Sequence, residues 1–241
     1  MAKMVGYACN IKAAWMKYAR QMLSEGLSKD EYKEKLNAYL AFEIDGAVRL
    51  RKSREILMHI WYYDDEDITP LRQKAIELIE KYPDYEIPIG LCLIFTAYPV
   101  VADISKIMGQ LLNFQEYFTN SVLKQKLYDE WGERGSLETT SRRVTLTLKD
   151  MGLLTVTART KYKQEKIIIT NEDVASFMVY TAMKLDGGCY YPFSTLNNFS
   201  ILFPFRYTLT KEWLVHDDRF TTAIFDGELT LSLNQQGIMK Y

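Results

Sequence analysis

Between residues 134 and 166 the chain gathers the side chains that meet nucleic-acid phosphates. Arg134, Arg142, Arg143, Lys149, Arg159, Lys161, Lys163 and Lys166 stand against only Glu138, Asp150 and Glu165, a net of +5. Lys and Arg neutralise phosphates and release their counterions, and the planar Arg fork also matches base edges. Ser141 and Thr145 lie among them and carry hydroxyls of the kind that contact phosphate oxygens. At about 100° per residue, Glu138, Ser141, Arg142, Thr145 and Lys149 fall in one helical arc of roughly 100°. Leu137, Val144, Leu148 and Met151 share a separate arc of roughly 60°. The spacing therefore predicts a helix with an aliphatic face and a DNA-facing one. A second basic run, Arg49, Arg51, Lys52 and Arg54, either extends a phosphate track or solvates its own helix.

Other chemistry is not written in the chain. It contains neither G-x-x-x-x-G-K-[ST] nor G-x-G-x-x-G, so no nucleotide loop, no cofactor and no enzymatic activity are expected. His59 and His216 stand apart and outside any H-E-x-x-H, and no metal site is expected. Cys9, Cys92 and Cys189 are odd in number and far apart, which fits neither a disulfide framework nor zinc and suits a reducing cytoplasm. Gly187-Gly188 reads as a helix end and turn rather than a phosphate cradle.

The elements that must position the basic residues follow from periodicity and punctuation. Helices are expected through Ile11–Met22, after a Ser28…Glu31 capping box, over about Gly46–Tyr62, and from Thr69-Pro70 to about Tyr82. From about Val100 to Thr170 the order is three helices and then two β-runs, Leu153–Arg159 and Lys166–Thr170. The stretch TKYKQE lies between those runs as a hairpin tip. That is the plan of a winged helix-turn-helix. Phe220–Leu233 reads as a hairpin turning at Asp226-Gly227. The expected fold is mainly α with a smaller β part. It divides into an N-terminal helical domain (1–85), a helical core with the winged helix-turn-helix at about 100–170 (86–185), and a C-terminal aromatic and β-hairpin segment (186–241).

The whole chain, 241 residues at a formal charge of −1, hides this polarity, because residues 64–86 carry eight acidic and three basic side chains. Composition is that of a globular protein, 48% hydrophobic and 25% charged. The start shows no signal peptide. Ile87–Ala102 is an uncharged run of 16 residues carrying Pro88 and Pro99. A spanning helix needs about 20 apolar residues, so the run is expected to be core, without membrane insertion.

The tracts RLRKSREILMHIW, IPIGLCLIFTAYPVVADI and EWGERGSLETTSRRVTLTLKDMGLL resemble BrxA proteins, components of the BREX phage-defence systems of bacteria, once labelled putative inner membrane proteins. The resemblance covers most of the chain and is weakest in the late aromatic and hairpin region. It implies a small non-catalytic protein with helix-turn-helix elements and affinity for double-stranded DNA. Such a protein would serve an assembly that includes a DNA methyltransferase, an ATPase and a phosphatase-like subunit. It would place Ser141, Arg142, Thr145 and Lys149 along the recognition helix, with the basic wing beside it. Two other readings remain: a scaffold docking partner subunits through Tyr190, Tyr191, Phe203 and Phe205, and a winged-helix transcriptional regulator with a specific operator.

Overall fold

Punctuation in the sequence sets most of the helix boundaries. A computed structural model describes residues 6–157 and 160–234. Helix α1 (Ala13–Met22) runs into a short 3-10 turn closed by Gly26 at φ +62°. The Ser28–Glu31 capping box then opens α2 (Lys29–Ala41): the Glu31 amide donates to the Ser28 hydroxyl, and the Ser28 amide donates to the Glu31 carboxylate. Helices α3 (Ala47–Trp61) and α4 (Ile68–Lys81) follow, and a 3-10 turn at Pro83–Tyr85 leads into α5 (Glu86–Ala97).

The apolar run becomes α5 and the start of α6 (Pro99–Phe114), broken at Tyr98 because Pro99 disfavours a helical residue before it. Helix α5 is apolar on every side and buries Ile89, Leu91, Leu93, Ile94 and Phe95, as a helix enclosed by neighbours must. It packs against α4, α6 and α9 (Glu172–Asp186), so the core continues through the Pro83–Tyr85 turn. Among the described residues no single helix is long and apolar enough to cross a membrane. Residues Pro83–Ala97 and Pro99–Phe114 pass that test only together, and they are bent by 118°.

After α6 come β1 (Phe118–Thr119), α7 (Asn120–Trp131), α8 (Gly135–Asp150), β2 (Leu154–Val156) and β3 (Lys161–Gln164). The three strands form an antiparallel sheet in the order β1-β3-β2. The hairpin is shifted from the one expected. The partner of β2 is Lys161–Gln164, within the stretch expected as a tip, while β4 (Ile167–Ile169) leaves to pair in parallel with β6 (Phe205–Tyr207). The physical reason is Tyr162. Its ring is buried and stacks on Phe118 at 5.5 Å, so Lys161-Tyr162-Lys163 alternates out-in-out and makes a strand around one inward aromatic.

The remaining elements are β5 (Tyr191–Pro192), α10 (Phe193–Leu196), α11 (Lys211–Val215), β7 (Phe220–Phe225) and β8 (Glu228–Leu233). Strands β7 and β8 form the expected hairpin, with Asp226 at φ +50° and Gly227 at +78°, the paired positive angles of a type I′ turn. The protein is thus mainly helical with three small sheets.

The C-terminal third is fastened to α6 at Gly109. A Cβ built there would lie 2.0 Å from the Ser200 carbonyl oxygen and 2.8 Å from the Phe203 Cβ, so the close approach requires glycine. Gly109→Ala should cost about 2–3 kcal/mol by overpacking and lower Tm by roughly 4–12 °C. Gly135→Ala, where a Cβ meets nothing within 4 Å, serves as the comparison. Equal Tm values for the two variants in thermal unfolding would sink this account.

Candidate nucleic-acid interface

Helix α8 follows α7 after a three-residue turn that begins at Gly132, φ +75°, which puts the chain where a Cβ is disfavoured. Its aliphatic side is as expected: Leu137, Val144, Leu148 and Met151 are buried. The polar side is rotated. Ser141 and Thr145, expected to line the DNA-facing arc, are 3% and 0% exposed. The Ser141 hydroxyl donates to the Glu138 carbonyl and the Thr145 hydroxyl to the Ser141 carbonyl. Small hydroxyl side chains bonded to their own helix in this way are cheap to bury, so residue type alone misassigned the arc. The exposed arc is centred roughly 90° further round, at about 100° per residue. It presents Thr139, Arg142 and Lys149, with half-buried Leu146 and Arg143. Periodicity plus the count of long charged side chains, without the hydroxyls, would have found this face.

The far edge of α8 is covered by the segment before α1. Thr147 is buried; its hydroxyl accepts from the Ile11 amide at 3.0 Å and meets the Tyr7 hydroxyl at 3.2 Å. Burial pushes the Tyr7 phenol well above its usual range, against the bond from Thr147, so it stays protonated. Asn10 donates to Asp150 at 3.0 Å, and the Arg143 Nη1 donates to the Tyr7 carbonyl at 3.2 Å. This strap also brings together basic residues about ninety positions apart. Arg49 and Lys52 of α3 line one shallow pocket of about 530 Å³ with Arg143 of α8. Arg51 lines the adjoining pocket with Lys52, so the two basic runs meet along one surface. Arg54 does not join them. Its guanidinium is held by Glu55 at 2.6 Å and by Asn37 at 3.3 Å, on the part of α3 packed toward α2.

Ion pairing sorts the remaining expected residues. Among the described residues, Arg49, Arg51, Lys52, Arg134, Arg142, Arg143, Lys149, Lys161 and Lys166 are in no ion pair. Two acids lie on the exposed side of α8: Glu138, taken up by Lys124 of α7 at 2.7 Å, and Asp150, which accepts from Asn10. Lys163 is spent on Glu116 at 2.6 Å, and that ammonium holds the Glu116 carboxyl below the usual range. Lys161 sits 3.8 Å over the Tyr117 ring at the tip end of β3. Lys166 lies beyond the opposite end of β3, five residues and about 16 Å along the strand direction, so it is not at the hairpin tip. Arg159 lies outside the described residues.

The other candidates are structural. His59 is half-buried, its ring edge-on to Tyr98, and burial lowers its pKa. His216 bonds through Nδ1 to the Glu212 carbonyl. Burial pushes the Cys92 thiol up to about 12, which keeps it an unreactive core group. Among the described residues no cluster of His, Cys, Asp and Glu is suited to a metal ion. Of the aromatics expected to form a docking surface, Tyr191 and Phe205 are buried and Phe203 is half-buried; the Tyr191 hydroxyl donates to the Met183 carbonyl of α9, and Phe203 lies against Gly109 of α6. Only Tyr190 is exposed; the exposed pair missed from sequence is Ile224 and Phe225, at the β7–β8 turn. Comparison of the chain with known family models, curated proteins and solved structures gives no match.

Proposed function

We propose that the chain is a non-catalytic, double-stranded DNA-binding accessory protein of a BREX-type phage-defence system, working in the cytoplasm. In this reading α6 to β3 act as a winged helix-turn-helix. One observation carries it: the open face of α8 holds Arg142 and Lys149 without ion-pair partners, and the edge of the same helix meets Arg49 and Lys52 of α3 at Arg143. Support also comes from the order of elements, helix, strand, helix, helix and hairpin, and from the short Gly-containing turn before α8. The link to phage defence is supported by the resemblance of the quoted tracts alone.

Phosphate contacts by these unpaired cations would supply the affinity. With Arg142 and Lys149 engaged on phosphates rather than guanine edges, sequence preference should be weak. If about four to six phosphates are engaged, log K falls against log salt with a slope near −4 to −5. Fluorescence anisotropy with random-sequence duplex, titrated from low to moderate salt, measures this slope. A chain that fails to bind at the lowest salt refutes the reading. An enriched consensus in a binding selection would favour a regulator with a specific operator instead.

A second reading, a scaffold holding other subunits of the assembly, is favoured by Ile224 and Phe225, 78% and 75% exposed at one hairpin tip. Pull-downs with and without nuclease separate the two. Partners that disappear only after nuclease are bridged by DNA, and partners that persist are held by protein contacts.

A further inference from the structure

A cleft of about 770 Å³ opens over the β4–β6 pair, far from α3 in sequence and built from different residues than the basic surface. Parallel strands are normally covered on both faces. Here only one face is covered: Ile169 and Tyr207, paired in register, are buried, while their neighbours Ile168 and Arg206 are exposed. The volume lies in the range of small-molecule sites, about 300–1,000 Å³.

The lining has a definite chemistry. It contains no carboxylate, and Arg206 is its one charged side chain. Some polar lining groups are already committed: Asn197 bonds both the amide and the carbonyl of Leu209, and the Thr170 hydroxyl meets that of Tyr85. Among the described residues, the side chains of Asn113, Gln164, Asn198 and Arg206 are in no hydrogen bond or ion pair. The rings of Phe199 and Phe203 are half-buried in the same wall.

We propose that this cleft binds a mononucleotide. The Arg206 guanidinium takes the phosphate, by the bidentate geometry a fork of donors offers. A base lies against the Phe199 and Phe203 rings. The carboxamides of Asn113, Gln164 and Asn198 each bring an acceptor and two donors, the mixture that the edge of a heterocycle requires and that a simple phosphate or carboxylate does not. A free nucleotide and the unpaired terminal nucleotide of a strand share this chemistry.

Isothermal titration of the full chain with AMP, GMP, CMP and UMP tests the site, with the four matching nucleosides and inorganic phosphate as their separated halves. At least one nucleotide should saturate a single site and bind at least tenfold more tightly than either half. Arg206→Gln should weaken that binding tenfold or more, and Asn198→Asp, which removes two donors from the base edge and brings an anion into the cleft, should do the same. Arg206 is exposed, so its variant should keep the wild-type Tm. A 5′-phosphorylated tetranucleotide whose binding also falls with Arg206→Gln and exceeds that of the monomer assigns the site to strand ends. Tighter binding of the monomer assigns it to free nucleotide. Absence of saturation by both monomer and tetranucleotide at millimolar concentration overturns the proposal, as does unchanged binding by both variants. Duplex binding by α8 and α3 stands or falls separately, since none of those residues lines the cleft.

Discussion

Replacing Arg142 and Lys149 together by glutamate is expected to lower affinity for random duplex DNA about a hundredfold, roughly tenfold per site. Both side chains are exposed on α8 and in no ion pair among the described residues, so reversal should leave the fold intact. Each change removes a phosphate-neutralising cation and sets an anion against the backbone. Ser141→Ala and Thr145→Val should change affinity less than twofold, because both hydroxyls are turned into the helix and bonded to its carbonyls. Lys211→Glu, on α11 and outside the basic surface, controls for overall charge. Anisotropy titrations at fixed salt decide the matter. A loss below threefold for the double reversal would place the interface elsewhere. A large loss from the Ser141 and Thr145 changes would restore the arc read from sequence.

Arg219→Met is expected to destabilise the protein by about 3–5 kcal/mol and to lower Tm by roughly 6–20 °C. The Arg219 side chain is 7% exposed and lies between two carboxylates, 2.7 Å from Asp173 Oδ1 and 2.7 Å from Asp217 Oδ1. It also donates to the Asp173 carbonyl at 3.1 Å. Through these bonds it ties the start of β7 to the first turn of α9, which itself packs on α5. Removing the guanidinium strands the buried Asp217 carboxylate and leaves Asp173 only Lys81, at 4.0 Å, and that penalty rather than the lost pair sets the size of the effect. Asp173→Asn leaves one of the two ion pairs and should cost less. Thermal and denaturant unfolding measure both; equal small losses, under 1 kcal/mol, would show that the network carries no stability. Arg219 is also a basic residue whose replacement would lower DNA binding only through loss of fold.

The helices were legible because their signals are local. The Ser28…Glu31 box and the pair Asp226-Gly227 each act within four residues and behave in the structure as the sequence indicates. The apolar run at Ile87–Ala102 was legible as core for the same reason, since Pro99 interrupts it before membrane length. The β part was less legible. Leu153–Arg159 and Lys166–Thr170 look like partners from their spacing, yet β4 is claimed by β6, almost forty residues later. Pairing of that kind depends on which faces α9 and α6 leave open, and no local pattern encodes it.

The candidate interface divides along the same line. Residue types by themselves determined that the positive charge of this near-neutral chain is concentrated at 134–166 and again at 49–54, because charge is a property of the side chain wherever it lies. Tertiary structure decided which of those charges are available. Arg54 is held by Glu55 and Lys163 by Glu116, while Arg49, Lys52 and Arg143 are drawn around one pocket by a strap that bonds Tyr7 and Ile11 to Thr147. Ser141 and Thr145 are lost to the interface because hydroxyls can satisfy themselves within a helix, and Arg142 and Lys149 remain because long cations cannot. Solvent access and pairing depend on every neighbour in space, and that information enters only when the chain has folded.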